Sequence, residues 1–325
     1  MNFISLKSIK LMPMHKVFSL VILLLTLSSK GRAQNNETII TGNELESIVS
    51  YLASDDLKGR DTGTNGIYNA AVFIEDYFEK QNIKSYFETY RDHFKVDSLD
   101  AFNVVGFIEG HDYKLKNEII ILGAHYDHIG KGRLKDNDSI ANGANDNASG
   151  TSAVMAMAKY FSTKKSNKRS LMFALFSAEE RGLLGSDHLA KRLKKESTDI
   201  YTVVNFEMLG LPIEGFDFMG YITGYETSNM VKFINNNVGD SKFLGLYELS
   251  KAYELFKRSD NYPFYLEYNI PSQTISTSHD YEHYHQVGDE ADIMDYVHMA
   301  NFINKLIPAI ETMANTPTKV IKLNE

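Results

Sequence analysis

Five short stretches of this chain carry the side chains that hold metal ions and move protons: His125 with Asp127, Asp146, Glu179 with Glu180, Glu207, and Tyr284 with His285. Histidine, aspartate and glutamate are the nitrogen and oxygen donors of hydrolytic metal centres, and carboxylates are common proton carriers in the same reactions. Singly, each has an ordinary explanation. Such side chains are mostly exposed, Asp146 would cap a following helix, and Glu179-Glu180 would sit well at a helix start. What sets them apart is the place of each in the pattern of elements.

The chain has 325 residues, 43% hydrophobic and 23% charged, a globular composition. It contains no cysteine, so disulfide scaffolds, thiolate metal sites and cysteine nucleophiles are excluded. Any metal must sit on His, Asp and Glu. A net charge of −8, from 34 basic and 42 acidic side chains, argues against nucleic-acid binding. Residues 17–27 form an uncharged apolar run preceded by Lys7, Lys10 and Lys16. As a helix this run rises about 16 Å, against a bilayer core of roughly 30 Å, so no stable membrane anchor is expected. Small residues Gly31 and Ala33 precede Gln34, and residues 1–33 read as a secretory signal cut after Ala33, with Met14 as an alternative start. A secreted or periplasmic location follows as an expectation.

Beyond that segment, strands alternate with helices. Helical spacing is predicted over 43–54, from 66 to about 81, 148–161, 183–193 and 292–314; strands are predicted over 103–109, 118–123, 170–176, 201–206 and 272–277. This alternation predicts a single α/β domain over 34–325, its largely parallel central sheet covered by helices on both faces. Ligands of such sheets gather at the carboxyl ends of the strands. His125 and Asp127 follow strand 118–123, Glu179 and Glu180 follow 170–176, Glu207 follows 201–206, and Tyr284-His285 lie beyond 272–277. Asp146 precedes helix 148–161. Segment 131–141 reads either as a mobile rim of the pocket or as a tolerated surface loop. Lys164, Lys165, Lys168 and Arg169 read as a solvated turn. His93, His111, His188 and His298 fall in no motif, and His279 and His283 lie close to His285.

The stretches occur in a recognisable order: Gly123-Ala-His-Tyr-Asp127, Gly143-Ala-Asn-Asp-Asn-Ala-Ser-Gly150, Phe176-Ser-Ala-Glu-Glu-Arg-Gly-Leu-Leu-Gly-Ser186, Asn205-Phe-Glu-Met-Leu-Gly210 and Tyr284-His-Gln-Val-Gly-Asp289. Together with Leu57-Lys-Gly-Arg-Asp-Thr-Gly63 and Ser259-Asp-Asn-Tyr-Pro-Phe264, this series resembles the zinc-dependent exopeptidase family of bacterial leucyl aminopeptidases, glutamate carboxypeptidase II and the glutaminyl cyclases. The resemblance implies a mixed sheet between helices with two Zn²⁺ above it. In it, Asp146 bridges the ions, His125 and Glu207 hold one, and Glu180 and His285 hold the other. Two-metal hydrolases space their ions at about 3.5–4 Å, where a bridging carboxylate offsets their repulsion.

The same resemblance makes Glu179 the general base for a metal-bridged hydroxide and Tyr284 a donor to the oxyanion. Asp127, two residues after His125, is expected to hold that imidazole in one tautomer. The implied activity is aminopeptidase cleavage of a peptide or small aminoacyl substrate. Glu207 stands where many aminopeptidases have Asp, which leaves recognition of a free amino terminus open. Alternatives are a glutaminyl cyclase-type acyltransferase, carboxypeptidase or dipeptidase specificity, and a non-catalytic binding module. The segment Ser177–Ser186 is more similar to the peptidases than to the cyclases.

Overall fold

A computed structural model describes residues 40–278 and 282–325; the signal segment expected over 1–33 and His279 lie outside the described residues. The chain begins with α1 (Gly42–Leu52), where the Thr41 hydroxyl accepts the Glu44 N–H as a cap and Leu45, Ile48, Val49 and Leu52 make the buried stripe. A short 3₁₀ segment, Asp55–Arg60, leads to α2 (Asn65–Lys80). Then come β1 (Lys84–Ser85), β2 (Arg91–Val96), β3 (Leu99–Ile108), β4 (Glu118–His125), β5 (Lys131–Lys135), β6 (Asp138–Ile140) and α3 (Gly150–Lys164). The second half runs β7 (Ser170–Phe176), α4 (Leu184–Lys195), β8 (Asp199–Phe206), β9 (Gly220–Ile222), α5 (Met230–Val238) and β10 (Leu244–Gly245). It ends with α6 (Glu248–Ala252), α7 (Asn261–Tyr268), β11 (Ser272–Ser276) and α8 (Tyr296–Asn315).

Nine strands form one sheet in the order β1-β3-β7-β4-β8-β11-β9-β10, with β2 also paired to β3. The central strands β7, β4, β8 and β11 are parallel; β3 joins β7 and β9 joins β11 antiparallel. The sheet is therefore mixed with a parallel centre, as the resemblance implied. Alternation along the central strands fills two cores. Ile120, Leu122 and Ala124 of β4 and Leu171, Phe173 and Leu175 of β7 pack with α1, α2, α3 and α8. Ile119, Ile121, Met172, Ala174 and Phe176 face the other way, onto Leu189, Leu193 and Phe264 of α4 and α7.

Two expectations change. Segment 131–141 is largely the hairpin β5–β6 rather than a loop, with Gly132 packed close to Val287 beside the His285 segment. The basic run is only partly solvated. Arg169 is fully buried, donating to Glu118 at 2.7 Å and to the carbonyls of Met313 and Thr316 at the end of α8. A guanidinium survives burial when carboxylate and carbonyl acceptors take its protons. Among the described residues, no helix is long and apolar enough to cross a membrane.

Candidate metal centre

Strand register brings the donors to one edge. His125 ends β4 opposite Phe176, the last residue of β7, and Gly123 pairs with Asn205 of β8. Glu179 and Glu180 lie just past the end of β7. Glu207 follows β8 and donates its N–H to Ile275 of β11.

Asp146 stands at the middle. Its Oδ1 is 3.4 Å from His125 Nε2, and its Oδ2 is 3.2 Å from His285 Nε2. Glu180 Oε2 lies 3.1 Å from the same His285 nitrogen. These separations approximate the edge of a tetrahedral shell, about 3.4 Å for ligands at 2.0–2.1 Å. His285 Nε2 is buried and has no hydrogen bond of ordinary geometry, though two carboxylates flank it. An orphaned imidazole nitrogen among carboxylates is the donor set a divalent cation would satisfy, and the residues fit one.

Electrostatics point the same way. Burial opposes protonation of His125, yet Glu179, Asp146 and Asp127 raise its pKa well above the usual imidazole range. Burial and neighbouring carboxylates push Glu179 well above its ordinary value, and burial lifts Asp260 to about 7. Glu207 is raised too, chiefly by burial, although Ser259 donates a hydrogen bond to it. The cluster draws positive charge beyond its permanent buried cation, Arg60, and without a metal that charge would sit on protonated imidazoles such as His125.

The supporting contacts explain the small polar residues around the donors. Asn145 Oδ1 accepts the Gly210 N–H at 2.8 Å, and Asn147 Oδ1 accepts that of Met208 at 3.1 Å, so the Asp146 turn is tied to the exit of β8. The peptide between Asp146 and Asn147 is cis. Asp289 accepts the N–H groups of Asn145 and Asp146 at 2.8 and 3.0 Å and joins that turn to the His285 segment. Arg60, fully buried, donates to the carbonyls of Tyr126, Asn142 and Gly143 at 2.8, 2.6 and 2.9 Å, and to that of Leu52. Burial lowers its pKa to about 10 against the pull of nearby carboxylates, so it remains a cation at neutral pH. Ala178, which precedes Glu179, Met208, which follows Glu207, and His285 itself all hold left-handed backbone.

Asn103 of β3 clamps the turn that carries the paired glutamates. Its Oδ1 accepts the Ser177 N–H at 3.1 Å, and its Nδ2 donates to the Gly185 carbonyl at 2.9 Å.

The structure brings Asp146, Glu180 and His285 together with His128 in one group of donor atoms, with His125 3.4 Å from Asp146 and with Glu207 and Glu179 close enough to act electrostatically on His125. Asp127 joins differently from the expectation. His125 Nδ1 lies 3.2 Å from the Asp127 carbonyl and 3.8 Å from its carboxylate. That carboxylate instead accepts the N–H groups of Glu179 and Glu180 at 3.2 and 3.4 Å. Tyr284 stacks on His285, ring centroids 4.0 Å apart, and with Glu207 lines a cavity of ≈ 250 Å³. Sequence reasoning missed His128, whose Nδ1 is 2.8 Å from Glu180 Oε1, and assigned no roles to Arg60, Asn103 and Asp260. Arg60 and Asp260 do fall within the two outer stretches quoted for the resemblance.

A mixed sheet with nitrogen and oxygen donors at the carboxyl edge of its parallel strands is an α/β arrangement suited to hold a metal. The chain belongs to peptidase family M28, whose sequence model matches residues 103–309. It is 31% identical over 188 residues to leucine aminopeptidase 2 of Trichophyton equinum, a match covering 56% of this chain and 34% of that protein. Its match to leucine aminopeptidase 2 of Arthroderma otae covers 21% of that protein, so the chain spans about a fifth to a third of these relatives. The fold is similar to that of LapA aminopeptidase from Legionella pneumophila, with TM-score 0.66, 23% identity, and coverage of 86% of this chain and 74% of that one. It is equally similar to glutaminyl cyclase from Fimbriiglobus ruber, with TM-score 0.66, 20% identity, and coverage of 83% and 94%.

Proposed function

We propose that this chain is an exported aminopeptidase that works with two zinc ions. The observation that carries the reading is Asp146, whose two carboxylate oxygens face different histidines, His125 and His285. A carboxylate so placed is suited to bridge two cations. His125 and Glu207 would complete one position, Glu180 and His285 the other. Zinc, when bound, supplies charge that polarises the scissile carbonyl and makes water more acidic. Glu179 takes the proton of the attacking water and passes it to the leaving amine, a role that suits its raised pKa. Asp127 fixes the Glu179-Glu180 turn through two main-chain hydrogen bonds. The Tyr284 hydroxyl donates to the oxyanion, and the cavity beside Glu207 takes the amino-terminal side chain. Residues 1–33 act as the export signal.

The test is a panel of free and amino-blocked peptides, including peptides with amino-terminal Gln, assayed on zinc-analysed protein. Two equivalents of zinc and release of amino-terminal residues from free peptides only are expected. Cleavage restricted to blocked peptides would overturn the aminopeptidase reading, and cyclisation of the Gln peptides without hydrolysis would favour the cyclase alternative.

A further inference from the structure

We propose that His128 is a positioning residue that holds Glu180 by a hydrogen bond and thereby chooses which of its oxygens faces the metal. The inference rests on the two-zinc reading above and adds to it a residue outside the five donors. His128 is fully buried, and its Nδ1 lies 2.8 Å from Glu180 Oε1. That leaves Oε2 turned toward His285 Nε2, 3.1 Å away. A carboxylate with both oxygens free rotates readily between equivalent poses, because the terminal torsion of Glu is broad. One oxygen engaged by a fixed N–H ends that freedom, and the other becomes the ligand atom.

The ring itself is fixed. A Cβ on Gly143 would lie 2.5 Å from His128 Cγ and 2.6 Å from Cδ2, so only glycine leaves room for the imidazole there. Gly143 also has φ +60°, in the left-handed region. On its other side the ring meets His285 edge to face, with centroids 5.4 Å apart. His128 Nε2 is buried with no hydrogen-bond partner among the described residues, and the ring's hydrogen bond among them is the one from Nδ1 to Glu180.

His128 also forms, with Asp146, Glu180 and His285, a group whose ligand atoms lie within 4.8 Å of one another, which raises direct ligation as the rival role. Distances favour the hydrogen bond. His128 Nδ1 is 3.9 Å from Asp146 Oδ2, wider than the roughly 3.4 Å edge of a tetrahedral zinc shell, whereas 2.8 Å to Glu180 is an ordinary hydrogen bond.

Zinc affinity measured by competition with a chromophoric chelator tests this without reference to turnover. H128A should bind one of its two equivalents about 10–100-fold more weakly than wild type. H128N, whose amide N–H reaches the place of Nδ1 but which cannot replace an imidazole as a ligand, should recover most of that loss. H128A with wild-type affinity for both equivalents, or H128N as weak as H128A, overturns the proposal. Nitrogen NMR of ¹⁵N-histidine-labelled wild-type protein loaded with zinc gives a reading free of any folding defect. The His128 ring should carry its proton on Nδ1, and a metal-bound Nδ1 overturns the proposal. Wild-type protein that binds no zinc overturns both this and the reading beneath it.

Discussion

At the scale of single residues, the proposed division of the paired glutamates into a donor and a proton carrier rests on adjacent side chains leaving the backbone in different directions. Glu180 is drawn into the His128–His285 contacts, while the Glu179 side chain, among the described residues, has electrostatic neighbours, His125 first among them. E179Q should therefore keep its zinc and its fold while kcat falls by about 10²–10⁴, the range of general acid–base catalysis. Metal analysis beside steady-state kinetics checks this, and undiminished turnover with zinc in place removes Glu179 from the reaction. The places of the candidate donors were legible in the sequence, since parallel strands expose whatever follows them, and His125, Glu180 and Glu207 sit at such exits. His128 was not legible. Its role depends on the space at Gly143 and on a partner from another strand exit, and neither leaves a mark in local spacing. Asp127 was half legible: its place beside His125 was foreseen, but main-chain geometry gives the ring to its carbonyl and frees the carboxylate for the glutamate turn.

At the scale of elements, the glutamate turn is anchored from below by β2, β3 and α4. Asn103 bonds both ends of the turn and also donates to Asp92 at 2.9 Å; Asp92 in turn accepts from Arg192 at 2.7 Å and lies 3.2 Å from His188. Replacing Asn103 by Ala leaves the buried Asp92 carboxylate and the Ser177 N–H short of a partner. It should lower stability by about 1–3 kcal/mol in urea unfolding and reduce kcat more than it raises KM. A loss of stability with unaltered kcat would mean that the turn keeps its shape without the clamp. Asp92 gives a pH prediction. Burial pushes its carboxyl up, but hydrogen bonds from His188, Arg192 and Asn103 outweigh that and hold it below its ordinary value. A carboxyl titrating lower in the folded than in the unfolded chain stabilises the fold above its unfolded pKa, about 3.9, and the benefit fades as pH falls through the folded value. D92N should thus be less stable than wild type at neutral pH, with the difference shrinking below about pH 4 in denaturation curves. A constant gap down to acid pH would mean that the charge on Asp92 contributes nothing. The long periodic elements that build this frame were legible from spacing, α1, α2, α3 and α8 among helices and β4, β7, β8 and β11 among strands. The two-residue strands β1 and β10 are too short to show alternation, and α7, Asn-Tyr-Pro-Phe-Tyr-Leu-Glu-Tyr, has no apolar stripe to read.

At the scale of the whole molecule, the sheet gathers acids at one edge and an aromatic cavity beside them. Met208, Tyr221, Tyr247, Leu255 and Tyr284 wall that cavity, and Glu207 borders it. Apolar and aromatic walls favour a large apolar amino-terminal residue, so leucyl or phenylalanyl peptides should exceed glycyl ones by about 10²-fold in kcat/KM. Comparable values across that series would move the side chain out of this cavity. The acidic edge has a further consequence. Asp127, Asp146, Glu179, Glu180, Glu207 and Asp260 are held together with one buried arginine, Arg60, among the described residues, so bound cations should stabilise the folded chain. Ligand held at a hundredfold excess over its Kd contributes about 2.7 kcal/mol. At about 2.1 cal/mol/K of unfolding entropy per residue, that corresponds to roughly 4–5 °C in Tm for a chain of this size. Chelation should therefore lower Tm by about that amount, and stoichiometric zinc should restore it, with the shift growing as zinc rises above its Kd. Zinc-depleted protein, its metal content verified, that melts where the loaded protein melts would show the acidic edge to be balanced without cations, and the two-zinc reading would lose its energetic basis.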